Sequence, residues 1–270
     1  MARDVIVITG LGGMGSACAR RLGAGHKLLL ADIDAESLHK TAEVLRDDGF
    51  DVEAHVVDVA DVDAITVFAQ RAAALGFVRA IVHTAGLSPL MANAARIYAV
   101  DLVGTANVLD AFSNVVGSGS VAVMIASIAS FVYPRDADLE MKLATLPATQ
   151  LCDLALAHNA DDPNMAYALA KRGNQLRVEE TAITWGQRGA RVISISPGLV
   201  STPMGRLEQQ GEHVAALLKL TPLQRIATAE DIAATVQWLI DPAANYINGA
   251  DIRIDGGLVA AMRSSGMVQR

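Results

Sequence analysis

Val5-Ile6-Val7-Ile8 is a β-branched run that leads straight into Thr9-Gly10-Leu11-Gly12-Gly13-Met14-Gly15. An Ala- and Arg-bearing segment of helical character follows to about residue 24. A strand, a glycine-rich turn and a helix in that order leave few architectures open. The run is short and apolar throughout, as in a strand buried on both faces. Gly10, Gly12 and Gly15 have the spacing G-x-G-x-x-G. That spacing lets backbone N–H groups approach a pyrophosphate at the helix N-terminus. A tight turn without a ligand would also use glycines, but the flanking strand and helix favour nucleotide binding.

The alternation continues. Residues 27–31 read as a second strand ending at Asp32, an acid about 20 residues past the glycines. A carboxylate there accepts hydrogen bonds from both ribose hydroxyls of an adenosine. It would repel a 2′-phosphate, and no Arg or Lys lies between Ile33 and Ser37 to offset it. Asp32-Ile33 therefore favours NAD over NADP; the competing reading of Asp32 is a helix cap or turn residue. Helices are predicted over about 35–48 and 62–74, and strands over 52–57 and 80–83. Turns follow the strands at Asp58-Val59 and Thr84-Ala85-Gly86. The pattern predicts an α/β fold: a Rossmann-type, doubly wound parallel sheet of about seven strands with helices on both faces. Ligands of such sheets sit at the carboxyl ends of the strands. Gly10, Asp32, Asp58 and Ala85-Gly86 all fall there.

Residues 89–114 read as one long helix, and 119–126 as an apolar strand ending at Ser127. A hydroxyl in that place can hold a substrate oxygen or simply end the strand. Residues 131–163 break the alternation. Segments 138–146 and 149–158 show helical apolar spacing with Pro147 between them. The leucines of this insertion, with Met141, must cover the sheet edge, the cleft, a second subunit or their own domain. Residues 164–188 then form an Ala- and Leu-rich helix with Asn164 as N-cap. Tyr167 and Lys171 are four apart and so lie side by side. A free tyrosine has a pKa near 10. A cation held beside it favours the phenolate and brings it toward the range of a general acid or base. A half-buried Tyr beside a solvated Lys is the alternative. A sixth strand is predicted over 191–195, and Pro197-Gly198 opens an irregular stretch to Thr202-Pro203. An amphipathic lid covers about 203–222. A helix to about 240, a turn at 245–249 and a strand over 251–254 lead to Asp255-Gly256-Gly257. One domain is expected over 1–270.

Composition excludes several classes. A formal net charge of −7 opposes nucleic-acid binding. No apolar run approaches the roughly 20 residues needed to span a bilayer. The amino end reads as a first strand rather than a signal peptide, and Cys18 and Cys152 stand in no paired motif. A cytoplasmic protein with free thiols is expected. The histidines have no metal-ligand spacing, so no metal is expected.

Taken together, Thr9-Gly10 with Gly13 and Gly15, Asp32, Asp58-Val59, Ala85-Gly86, Ser127, Tyr167 with Lys171, Pro197-Gly198 with Thr202 and Asp255-Gly256-Gly257 resemble the short-chain dehydrogenase/reductase family, in family order and over the whole chain. The insertion and Ala244-Asn245-Tyr246 look like the bacterial 3α-hydroxysteroid dehydrogenase/carbonyl reductase branch. The resemblance implies roles. Tyr167 would be the general acid/base, Lys171 would lower its pKa and bind the nicotinamide ribose, and Ser127 would hold the substrate oxygen. Gly10, Gly13, Met14 and Gly15 would pack on the pyrophosphate, and Asp58 and Val59 would touch adenine. Val200 and Thr202 would bind the carboxamide. It also implies a homodimer or homotetramer, many relatives pairing through the helices that here start near Pro89 and Tyr167.

Three departures stand out. The turn is one residue shorter between Gly10 and Gly13 than the commonest family form. His83-Thr84-Ala85-Gly86 replaces Asn-Asn-Ala-Gly. Asp101 stands where the family has an asparagine whose main-chain carbonyl holds a proton-relay water at a helix irregularity. A carboxylate near Lys171 would partly offset the cation's effect on Tyr167. The expected activity is NAD-dependent hydride transfer to or from a hydrophobic secondary alcohol or ketone, such as a 3α-hydroxysteroid. The alternatives are an NADPH-dependent carbonyl reductase and a non-catalytic dinucleotide-binding sensor.

Overall fold

The computed structural model describes residues 3–158, 161–208 and 212–268. Strand and helix alternate from the start: β1 (Val5–Thr9), α1 (Gly13–Leu22), β2 (Lys27–Asp32), α2 (Ala35–Asp47), β3 (Asp51–Val56), α3 (Val62–Leu75) and β4 (Val78–His83). Then come α4 (Ala94–Ile97), α5 (Gly104–Ser113), β5 (Val121–Ile125), α6 (Ala137–Thr145), α7 (Ala148–His158), α8 (Pro163–Gln187) and β6 (Arg191–Pro197). The chain closes with β7 (Val200–Ser201), α9 (Pro203–Glu208), α10 (Glu212–Leu220), β8 (Ala227–Thr228), α11 (Ala229–Ile240), β9 (Asp251–Ile254) and α12 (Leu258–Ser264).

Seven strands form one parallel sheet in the order β3-β2-β1-β4-β5-β6-β9. Strand order reverses between β1 and β4, which opens a crevice at their carboxyl ends. Side chains alternate across the sheet. Ile6, Ile8, Leu28 and Leu30 pack against α1, α2 and α11, and Val5, Val7, Leu29 and Ile81 pack against α3, α5 and α8. Both faces are therefore covered, and β1 and β6 are buried along their whole length. Burial pushes the Cys18 thiol up to about 12, so it stays protonated and inert.

Side-chain caps set most helix starts. The carboxylates of Asp34, Asp61, Asp136 and Asp162 each accept two backbone N–H groups at the head of α2, α3, α6 and α8. At α8 this corrects the expected cap: Asp162 caps the helix, not Asn164, because Pro163 sits at its first position, where a missing N–H costs nothing. The expected single helix over 89–114 is also corrected. It starts only at Ala94, capped by Asn93, and is interrupted by a π-helical turn, Tyr98–Val103, before α5.

The insertion forms α6 and α7, separated at Leu146-Pro147. Leu139, Leu143, Leu151 and Ala155 are buried with Ile97, Tyr98, Leu102 and Leu169. The insertion thus packs on its own domain, over α4, the π turn and α8. Met141 departs from expectation and is 59% exposed. The Arg177 guanidinium donates to the Leu143 and Leu146 carbonyls (3.1 and 2.9 Å), closing the C-terminal end of α6. The expected lid appears as α9 and α10, with Leu217 and Leu220 packed on the Leu258–Met262–Val268 cluster at α12. Residues 159–160 of the expected insertion and 209–211 of the expected lid lie outside the described residues. None of the described helices is long and apolar enough to cross a membrane.

Candidate active site

The crevice has a volume of about 780 Å³ and is lined by Gly10, Gly12, Gly13, Met14, Asp32, Ile33, Asp58, Val59, Ala85 and Gly86, among others. A smaller lobe of about 90 Å³ holds Asp101, Ser127, Tyr167, Lys171, Pro197, Gly198 and Val200. The two lobes share Met14, Thr84, Gly86, Leu87, Thr202 and Met204 in their walls. Of the residues expected to bind cofactor or take part in the reaction, Gly15 alone lines neither lobe. A Cβ there would run into the Gly10 carbonyl, so Gly15 serves by letting α1 pack on the turn.

The walls fit a dinucleotide. Gly10 has φ 86°, and the place of its missing Cβ is filled by the Ala85 backbone, so the turn lies directly on the end of β4. At Gly13 a Cβ would come within 2.9 Å of Thr202. Gly12 begins α1 without a side-chain cap, and the first-turn N–H groups have no intrahelical acceptor, a natural seat for a pyrophosphate. At the far end, Asp32 Oδ2 accepts from Leu11 N (2.5 Å) and Oδ1 from Asp34 N (3.0 Å). Two backbone bonds hold the carboxylate at the mouth, with lone pairs left for ribose hydroxyls.

Asp58 is not alone in its wall of the crevice. Arg96 Nη2 donates to its Oδ2 at 2.8 Å and also lines the crevice. Sequence reading missed Arg96. The available signal was its place on the first turn of the helix that follows the Ala85-Gly86 strand end.

His83 and Thr84 fill the places of the expected asparagines differently. Thr84 Oγ1 donates to the Gly10 carbonyl at 2.7 Å, tying β4 to the glycine turn. His83 is buried between Thr9 Oγ1 (2.7 Å from Nδ1) and Thr105 Oγ1 (3.1 Å from Nε2). The Thr105 hydroxyl donates to the Asp101 carbonyl at 2.8 Å, so its oxygen must accept from His83. The proton therefore sits on Nε2, and Thr9 donates to Nδ1. Burial, and secondarily Lys171, depress His83 to about 3, so the ring is neutral.

At the centre, Lys171 Nζ lies 3.0 Å from Asp101 Oδ2 and donates to the Ile125 carbonyl at 3.2 Å. The ammonium is 5.5 Å from the Tyr167 ring centroid. Asp101 Oδ1 accepts from Leu87 N at 2.8 Å. Burial pushes the Asp101 carboxyl up against the pull of Lys171. Burial also opposes charge on Lys171, but the Asp101 carboxylate and Tyr167 outweigh it and hold the ammonium above its ordinary range. Ser127 lies two residues beyond β5 and caps the short 3-10 turn Ile128–Phe131; its Oγ accepts from Ala129 N at 3.2 Å, leaving the O–H to donate into the lobe.

A hydroxyl, a phenol and a buried ammonium at the inner end of a dinucleotide-shaped crevice define a Rossmann-type oxidoreductase that works with a nicotinamide cofactor. The comparisons place it more narrowly. Residues 4–136 match the short chain dehydrogenase model, and residues 153–259 match a model described as enoyl-(acyl carrier protein) reductase. The chain is 34% identical to the short-chain dehydrogenase/reductase bsc3 of Alternaria brassicicola, over 96% of this chain and 97% of that protein. It is 31% identical to the 3-alpha-hydroxysteroid dehydrogenase/carbonyl reductase of Comamonas testosteroni, over 96% of this chain and 98% of that one. The chain belongs to the short-chain dehydrogenase/reductase family. Among solved structures, a short-chain type dehydrogenase/reductase from Mycobacterium ulcerans has the same fold: TM-score 0.78, 22% identity, 95% of this chain and 90% of that chain.

Proposed function

We propose that the protein is an NAD-dependent dehydrogenase that interconverts a hydrophobic secondary alcohol and its ketone. The observation that carries this reading is the line of side chains along one crevice: Asp32 at the adenosine end, the open N-terminus of α1 in the middle, and Ser127, Tyr167 and Lys171 at the inner end. Bound there, a nicotinamide cofactor supplies the hydride acceptor or donor. Ser127 donates a hydrogen bond to the substrate oxygen. The Tyr167 phenol takes the proton from that oxygen in alcohol oxidation and returns it in ketone reduction. Lys171 stabilises the phenolate and reaches the ribose. Pro197, Gly198, Val200 and Thr202 line the same lobe as Tyr167. Asp32 accepts from the ribose hydroxyls and disfavours a 2′-phosphate by like charge.

The apolar character of the substrate rests on the walls of the lobe, where Met14, Leu87, Ile125, Ala126, Val200 and Met204 surround the Ser127 and Tyr167 hydroxyls. A cyclic alcohol of steroid type suits such walls, and the named activity of the Comamonas relative agrees with it. Any homodimer or homotetramer would be built on faces other than the part of α8 that α6 and α7 cover.

NADH formation from NAD with a panel of hydrophobic secondary alcohols, androsterone included, tests the reading. Wild type should turn over at least one compound, and Tyr167→Phe should lose that turnover while still binding NADH. Full turnover by Tyr167→Phe would move the proton transfer elsewhere.

A further inference from the structure

Tyr167, Lys171 and Gln175 are spaced by four along α8 and share one face. The first two reach the crevice. Gln175 is 2% exposed and lies below them, against the 3-10 turn that starts at Ser127. Its Nε2 is 2.8 Å from Ser130 Oγ, 2.9 Å from Ser196 Oγ and 3.0 Å from Asp251 Oδ2. Its Oε1 accepts from Arg172 Nη1 at 3.1 Å.

Proton bookkeeping fixes the orientation of this amide. Ser130 Oγ donates to the Ser127 carbonyl at 2.7 Å. Ser194 and Ser196 both donate to Asp251 Oδ1, at 2.7 and 2.9 Å. Ser130 and Ser196 have thus committed their only hydrogens, and their oxygens can only accept. Gln175 must present its NH₂ to them, and its carbonyl must face Arg172. On the other side, Arg172 grips Glu140 of α6 with two bonds of 3.0 Å. The links run without a gap from Glu140 through Arg172, Gln175 and Ser130 to the main-chain carbonyl of Ser127.

We infer that Gln175 is a positioning residue. Through Ser130 it sets the backbone of Ser127 against α8, so that the Ser127 hydroxyl and the Tyr167 phenol converge on the same substrate oxygen. Asp251, half-buried at the start of β9, anchors the amide through Ser196 and shares one of the amide's two hydrogens with that serine. This rests on the roles given above to Ser127 and Tyr167. Both reacting groups hang on the sheet by different elements, β5 and α8, and displacements near 1 Å at such a pair are costly. Packing alone would place an apolar side chain at this interface; the donors of Gln175 matter because they end on the Ser127 turn.

The test uses the full-length protein and the best alcohol of the panel. Gln175→Leu, which keeps the bulk and removes both donors, should lower kcat about tenfold or more. NADH affinity should stay within about twofold, because Gln175 touches neither lobe. Ser130→Ala removes the same link with a smaller change and should act in the same direction. In a Ser127→Ala background, Gln175→Leu should add little, since it acts through Ser127; a general loss of stability would add its full effect. Amide exchange in residues 127–132 should accelerate about tenfold in both single variants, a readout that needs no substrate. Wild-type kcat in both variants, an additive double variant, or unchanged exchange in that segment would each overturn the inference. Full activity in Ser127→Ala would instead overturn the role of Ser127 and remove the basis of the inference.

Discussion

The Asp101 carboxylate and the Lys171 ammonium lie 3.0 Å apart, with side chains 0% and 5% exposed. The cation that Tyr167 faces is therefore already half-neutralised by a group on the other side. A lone ammonium would favour the phenolate more strongly. Asp101→Asn should accordingly shift the rising limb of the kcat/KM–pH profile for alcohol oxidation toward acid by roughly one unit. Loss of a bond to a charged group should also lower stability by roughly 1.5–3 kcal/mol. Paired pH profiles and denaturant titrations check both effects. A profile that does not move would mean that Asp101 leaves Tyr167 unaffected.

Asp32 should decide the cofactor. Like-charge contact with a 2′-phosphate costs several kcal/mol. Asp32→Ala should lower the kcat/KM ratio of NAD over NADP by roughly tenfold or more. Part of the loss will fall on NAD itself, because the Leu11 amide loses its acceptor. An unchanged ratio would remove the carboxylate from cofactor choice.

His83 makes the fold sensitive to acid. Folded, it takes a proton only near pH 3; unfolded, near its ordinary 6.5. Between those values the unfolded chain binds more protons. Stability therefore rises with pH in that window and falls on acidification by about 1.4 kcal/mol per unit from this residue. His83→Asn should flatten that limb in urea titrations between pH 6.5 and 4, within the window His83 sets.

Gly15→Ala should damage the turn without touching the ligand. The added methyl would strike the Gly10 carbonyl and approach Thr84 Oγ1. Overpacking of this kind costs about 1–3 kcal/mol. The expected result is a lower melting temperature and weaker NADH binding together, read by calorimetry and fluorescence titration.

Local signals were the legible ones. The β-branched runs, the glycine turn, Asp32 and the pair Tyr167–Lys171 are each written within a few residues; the structure buries the first in the sheet and places the other three along the crevice. At the head of α8 the sequence offers Asp162, Pro163 and Asn164, and the fixed φ of proline at the first helical position selects Asp162. What could not be read depends on partners far along the chain. The resemblance implies a helix irregularity at Asp101 and a carboxylate near Lys171, but not that the π turn also brings that carboxylate to the Leu87 amide. Arg96 enters the crevice through Asp58, and Gln175 gains meaning only through serines on other elements.

The uncapped start of α1 also bears on how the protein would behave in a cell. Four Asp-headed helices carry their own terminal acceptors, whereas α1 leaves that place to a visitor. A dinucleotide that completes the helix binds only the folded chain, and at a hundred times its dissociation constant it adds about 2.7 kcal/mol. Lifetime against proteolysis would then follow the nucleotide supply: starved of its nicotinamide cofactor, the same polypeptide would be cleared sooner than its own contacts require.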